Sequence, residues 1–192
     1  MMNSSLMAIS PVDGRYVKST HELSPYFSEY ALMKYRVWVE VEYLIALAVL
    51  PIPQLKGWGD KESAIMRNWV ELFSEQDAEK IKEIEKTTNH DVKAVEYFIK
   101  EKMTAQGWND WKEFIHFGLT SQDINNTAIP ASLRDALDEV YLPTLEKIID
   151  QLLSSAQQWK DISLLARTHG QAASPTKMGK EVCVFIERLE AQ

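Results

Sequence analysis

The chain has 192 residues, 45% of them hydrophobic and 26% charged, with a formal net charge of -7. That composition suits a packed globular fold and argues against a disordered chain, which cannot bury enough apolar surface to offset the entropy of ordering. The basic residues are scattered through an acidic chain, which argues against a nucleic-acid partner.

Ser24-Pro25 has the form of a helix start, and apolar residues at Phe27, Tyr30, Tyr35, Trp38, Val41, Leu44 and Ile45 predict one long helix ended by Pro51 and Pro53. Residues 54–60 read as a loop, with a shorter helix from about Glu62 to Phe73. Ser74-Glu75-Gln76-Asp77 resembles a capping box and opens a solvated amphipathic helix that stops near Thr87. Val92, Val95, Phe98, Ile99 and Met103 share the face of a further helix, with Asn89 or Asp91 as acceptors at its start and Gly107 at its end. Thr120-Ser121-Gln122-Asp123 again has capping-box form and opens a helical stretch to Trp159, with a kink expected near each of Pro130 and Pro143 or a true break at one of them. Asp161 to Ser174 reads as a loop, and Ser174-Pro175 as the start of a last helix that runs uncapped to Gln192, as in a truncated chain. No segment shows sustained strand alternation, so the expected fold class is all-α.

Four short segments are too polar for the helices that they interrupt: Asp13-Gly14-Arg15-Tyr16, Thr87-Thr88-Asn89-His90-Asp91, Thr120-Ser121 and Arg167-Thr168-His169-Gly170-Gln171. Each lies at an element boundary, where unpaired backbone N–H groups can bind an anion, so a shared site is a reasonable hypothesis. Taken singly, each also has a plain structural reading. Arg15 can be a surface residue, His90 a helix cap, and Thr120 and Ser121 N-cap residues. His169 stands out, because an imidazole beside Gly170 in a polar loop has the exposure that a general acid or base needs.

Other readings lose their footing. Glu113-Phe114-Ile115-His116 has the Glu-x-x-His spacing of di-iron bundles, but a single pair cannot build that site, so a core or capping role for His116 is preferred. No G-x-G-x-x-G, phosphate-binding P-loop or H-E-x-x-H occurs, and neither a cofactor nor a metal is expected. Trp38, Trp69, Trp108, Trp111 and Trp159 read as packing residues rather than a base-stacking platform. The lone Cys183 fits a reducing compartment, the longest apolar run, Tyr43 to Pro51, is too short to span a bilayer, and no export signal is evident. A cytoplasmic location is the default, without membrane attachment.

Taken in order, Ser10-Pro11-Val12-Asp13-Gly14-Arg15-Tyr16, Thr87 through Glu96, Phe114-Ile115-His116-Phe117 leading to Thr120 through Asn126, and Arg167 through Gln171 closely resemble the adenylosuccinate lyases of bacterial type. Those enzymes belong to the fumarase and aspartase superfamily. The resemblance runs from about Ser10 to the end of the chain, and although T-S-x-D and T-H-G-Q occur across the superfamily, the four blocks together are specific. It implies a homotetramer that eliminates fumarate from adenylosuccinate, giving AMP, and from SAICAR, giving AICAR, in purine biosynthesis. It also implies that Arg15 and Tyr16 hold the nucleotide phosphate. Asn89, His90 and Asp91 would contact the substrate beside the leaving nitrogen, Thr120 and Ser121 would bind a succinyl carboxylate, and His169 would be the general acid.

The family's serine-bearing signature loop is absent from these residues, so the fragment is expected to lack turnover. On the same resemblance, residues 1–111 form a small helical first domain and residues 112–192 open the central helical bundle. Another superfamily lyase and a non-catalytic helical interaction module are the competing readings.

Overall fold

Ser28 divides what the periodicity presents as one helix. In the computed structural model, which describes residues 5–192, a short α1 (Val17–Thr20) and α2 (Ser24–Phe27) precede the 21-residue α3 (Glu29–Val49). Ser28 takes an extended conformation, and its hydroxyl oxygen accepts the Ala31 N–H, so a serine competing for backbone partners starts a new helix where spacing alone predicts continuity. Next come α4 (Asp60–Glu71), α5 (Glu75–Thr88) and α6 (Asp91–Ala105). The Ser74 capping box is present, with Asp77 returning its carboxylate to the Ser74 N–H. After a turn-rich segment, α7 (Ser121–Ala136) carries Pro130 inside it and continues six residues beyond, so the helix does not break there.

By contact the chain divides into two units, one reaching Ala136 and the other spanning Leu137–Gln192. In the first, the fully buried Val37, Val41 and Leu44 of α3 meet Met66 of α4, Ile81 of α5 and Phe98, Ile99 and Met103 of α6. Each such side chain stabilises the fold by about 1.5–3 kcal/mol. Tryptophans border this core as expected: Trp58 lies 5.6 Å from Trp108 and 5.2 Å from Trp111, and Trp69 lies 5.7 Å from Trp108, ring centre to ring centre. A second cluster joins Val39 of α3, Val92 of α6 and Ile124 and Ala128 of α7, with Trp38 packed against it.

The second unit opens with a π-helical turn over Leu137–Tyr141, followed by α8 (Leu142–Gln158). Pro143 is the second residue of α8 and follows directly on that π-helical turn, so the helical chain does not break there either. Residues predicted as a loop instead form an antiparallel hairpin, β1 (Ser163–Thr168) and β2 (Gln171–Lys177), with an irregular register between Leu165 and Arg167. Only a weak alternation of burial marks these short strands, which explains why the sequence pattern conceals them. Ser174-Pro175 therefore lies within β2 and does not start the last helix; α9 (Met178–Ala191) begins three residues later. The chain is otherwise mostly helical, and among the described residues no helix is long and apolar enough to cross a membrane.

Gly179 lets α9 approach α8 closely, because a Cβ there would meet the Ala156 carbonyl oxygen at 2.2 Å. Gly179→Ala is therefore expected to destabilise this unit by about 1–3 kcal/mol, read as a lower midpoint in urea. An unchanged midpoint would show that the helices can part without cost.

Candidate functional site

One αL residue turns the chain from α5 into α6. Asn89 has φ +49° and ψ +34°, a conformation that asparagine tolerates better than most residues, and His90 then takes an extended conformation as the N-cap of α6. The sequence suggests Asn89 or Asp91 as acceptors at this start. In the structure the His90 imidazole is one of them: its Nδ1 accepts the Lys93 N–H at 3.2 Å, while Asp91 Oδ1 accepts the Val92 N–H at 2.8 Å. Thr88 closes the corner by donating its hydroxyl to the His90 carbonyl at 3.1 Å.

The cap constrains the tautomer. A neutral imidazole whose Nδ1 accepts a hydrogen bond carries its proton on Nε2. That Nε2 lies 3.2 Å from the hydroxyl oxygen of Ser121, the first residue of α7. The Ser121 oxygen then accepts from His90, leaving its own proton to donate elsewhere. His90 is about half exposed, with 48% side-chain accessibility, so an incoming ligand can reach the pair. The start of a helix such as α7, with its dipole, adds a preference for negative charge at this point.

Thr120 is placed differently from Ser121. Its N–H and its hydroxyl both donate to Asp123 Oδ2, at 2.7 and 2.9 Å, and these two bonds hold the Asp123 carboxyl below its ordinary pKa. A ligand that takes the Thr120 proton has to compete with that carboxylate. The two clustered blocks, Asn89-His90-Asp91 and Thr120-Ser121, are brought together because Val92 and Ile124 are buried in one apolar cluster just beyond them.

Arg15 and Tyr16 lie on an exposed turn before α1, with the Arg15 guanidinium 5.4 Å from the centre of the Tyr16 ring. Backbone bonds from Gly14 to Ser10 and from Tyr16 to Pro11 shape that turn. No hydrogen bond or ion pair joins it to the His90 and Ser121 pair among the described residues. His169, in the second unit, sits at the tip of the hairpin rather than in an irregular loop. His169 and Gly170 have φ +51° and +74°, as both central residues of a two-residue type I′ turn require, and Arg167 donates to the Gly170 carbonyl at 3.3 Å.

Two buried charges escape the sequence reading. Arg36, in the middle of α3, pairs through Nη2 with Asp91 Oδ2 at 2.8 Å and donates from Nε to Asn125 Oδ1 at 3.0 Å. Glu40, one turn further on and fully buried, accepts the His116 N–H at 3.0 Å and faces His116 Nδ1 at 2.6 Å. The core or capping role read for His116 thus becomes a carboxylate pairing, with the chain at φ +62° just before Thr120. The spacing of Arg36 and Glu40, four apart inside an apolar helix, is the signal that marks them as an inward polar face. No cluster of three potential metal ligands occurs among the described residues.

Residues 14–192 match the family described as Lyase, and the chain belongs to that lyase family. Its relatives include the adenylosuccinate lyase of Dictyostelium discoideum, 56% identical over 98% of this chain, and that of Escherichia coli strain K12, 48% identical over 98% of it. The chain spans 42% of the length of each of these relatives. Among solved structures, the fumarate lyase from Mesorhizobium sp. BNC1 shares the fold with a TM-score of 0.66 at 20% identity, over 89% of this chain and 38% of that one.

Proposed function

We propose that this chain serves an adenylosuccinate lyase, which eliminates fumarate from adenylosuccinate to leave AMP and from SAICAR to leave AICAR, in purine nucleotide biosynthesis. The observation that carries the reading is the His90 Nε2 held 3.2 Å from Ser121 Oγ at the start of α7, in a chain 56% identical to an adenylosuccinate lyase. In this reaction a base outside these residues, assigned to the family's serine-bearing loop, takes a proton from the carbon beside a carboxylate, the C–N bond breaks, and its electrons go to the departing nitrogen. Charge builds on the succinyl carboxylate, so the donors Thr120 and Ser121 are assigned to it. Asn89, His90 and Asp91 are assigned to the substrate beside the leaving nitrogen. His169 supplies the proton that nitrogen needs, since an amine anion is a poor leaving group.

Arg15 and Tyr16 are assigned to the nucleotide phosphate, which is remote from the bond that breaks. Arg15→Ala is accordingly expected to raise KM by about ten- to a hundredfold with little change in kcat, the loss of one charge-assisted contact. An unchanged KM would remove Arg15 from the phosphate site. Residues 1–111 as a first domain, residues 112–192 as the opening of a shared helical bundle, a homotetrameric cytoplasmic enzyme and a lack of turnover by these 192 residues alone belong to the same proposal.

The deciding experiment expresses the complete coding sequence and assays fumarate release from adenylosuccinate. Soaking crystals with AMP and fumarate adds the location: ligand beside His90 and Ser121 supports the reading, and ligand confined to other surfaces overturns it.

A further inference from the structure

Arg36 is only 6% exposed, and a charge buried to that degree is tolerated when its donors are matched by acceptors. Its two partners lie on different helices. Asp91 is the first residue of α6 and directly follows His90, while Asn125 lies one turn beyond Ser121 in α7. One planar guanidinium on α3 therefore spans the two elements whose side chains, His90 and Ser121, meet at 3.2 Å. Asp91 is suited to its part. Burial opposes its ionisation, but the Val92 N–H and the Arg36 charge outweigh it and hold its pKa below the ordinary value.

The same three helices are already joined by the apolar contacts of Val39, Val92, Ile124 and Ala128. A guanidinium in that seam adds direction rather than adhesion, since it is desolvated while its partner Asp91 stays half exposed, and such a pair contributes little net stability. We propose that Arg36 is a positioning residue: through Asp91 and Asn125 it sets the His90 ring against the Ser121 hydroxyl and so aligns the end of the site where the C–N bond breaks. This rests on the lyase reading above. A cavity of about 380 Å³ between α3, α5 and the start of α6, lined in part by Arg36, Asn89, His90 and Asp91, adjoins the Arg36–Asp91 pair.

The test uses the full-length enzyme and fumarate release. Arg36→Lys keeps a positive charge near Asp91 but cannot also donate from the Nε position to Asn125. It is expected to lower kcat by about ten- to a hundredfold with KM held within about threefold, the signature of misplacement rather than lost binding. Asn125→Leu should do the same, whereas Asn125→Asp, which keeps the accepting oxygen, should restore kcat to within about threefold of wild type. The Arg36→Lys and Asn125→Leu double variant should be no slower than the slower single one, because both remove one interaction. If Arg36→Lys fails to fold, the two Asn125 variants carry the comparison by themselves.

Wild-type kcat in Arg36→Lys and Asn125→Leu, losses that multiply in the double variant, or an Asn125→Asp enzyme as slow as Asn125→Leu would each overturn the inference. His90→Gln and Ser121→Ala run alongside as controls. Should both turn over at the wild-type rate, the reading of the site falls, and Arg36 with it. If only they are slow, the site stands and Arg36 does not serve it.

Discussion

Replacement of His169 by alanine in the full-length protein is expected to lower kcat by ~10²–10⁴, with KM changed only a few-fold, because a lost general acid slows bond breaking more than it weakens binding. The position gives this prediction its controls. His169 is the first of two residues with positive φ at the tip of a two-residue turn, where only a few residue types sit without strain. Alanine therefore removes the imidazole and strains the turn together. His169→Asn separates the two effects, since asparagine tolerates the left-handed region but carries no titratable proton near neutral pH. Both variants should be slow to a similar degree if the proton matters. An active His169→Asn beside a slow His169→Ala would assign the loss to the turn, and wild-type turnover in both would take His169 out of the mechanism.

The largest expected effect on stability is at Glu40. Its carboxylate is fully buried and serves both the N–H and the ring of His116, so Glu40→Ala leaves two polar groups unmatched in the interior. A loss of about 3–5 kcal/mol is expected in urea unfolding, the range for breaking a buried pair. Glu40→Gln keeps an accepting oxygen for the His116 N–H and offers an amide donor to the ring, and should lose much less. The pH dependence distinguishes the two states of the pair. Burial raises the Glu40 pKa above its ordinary 4.5, the hydrogen bond and charge of His116 oppose that rise, and nearby Glu96 adds to it. Above pH 4.5 the unfolded chain thus gives up this proton before the folded chain does, and the contribution of Glu40 to stability falls as pH climbs toward its raised value. Glu40→Gln should remove that part of the slope. A slope identical to wild type would mean that Glu40 does not titrate in this range.

Much of this architecture is legible in the sequence where local chemistry and burial agree. The Ser74 capping box, the end of α5 at the Thr88-Asn89 corner and the apolar face of α6 all follow from residue spacing. The failures share a physical cause. Ser28 splits a periodic apolar stripe because one hydroxyl and one extended backbone residue outweigh periodicity, a contest that spacing cannot register. The hairpin over residues 163–177 is missed because its strands are short and mostly exposed, so the alternating pattern that identifies a half-buried strand is faint. His169-Gly170 carries only part of the turn signal, a glycine at the second central position, and lacks the Asn-Gly or Asp-Gly pair that marks such a hairpin in sequence. Within the candidate site, His90, Thr120 and Ser121 stand out as polar interruptions. Arg36 and Glu40 do not, because a charge inside a helix is visible only once both flanks of that helix are known to be buried.

The cap that His90 provides for α6 has a further consequence. Turning the imidazole through half a revolution would put the Cδ2–H where Nδ1 stands, and adding a second proton would fill the lone pair on Nδ1. Either event strips the Lys93 N–H of its acceptor and loosens the first turn of the helix. Ring orientation and helix integrity are thereby one variable, and the rotational freedom of the side chain is already spent.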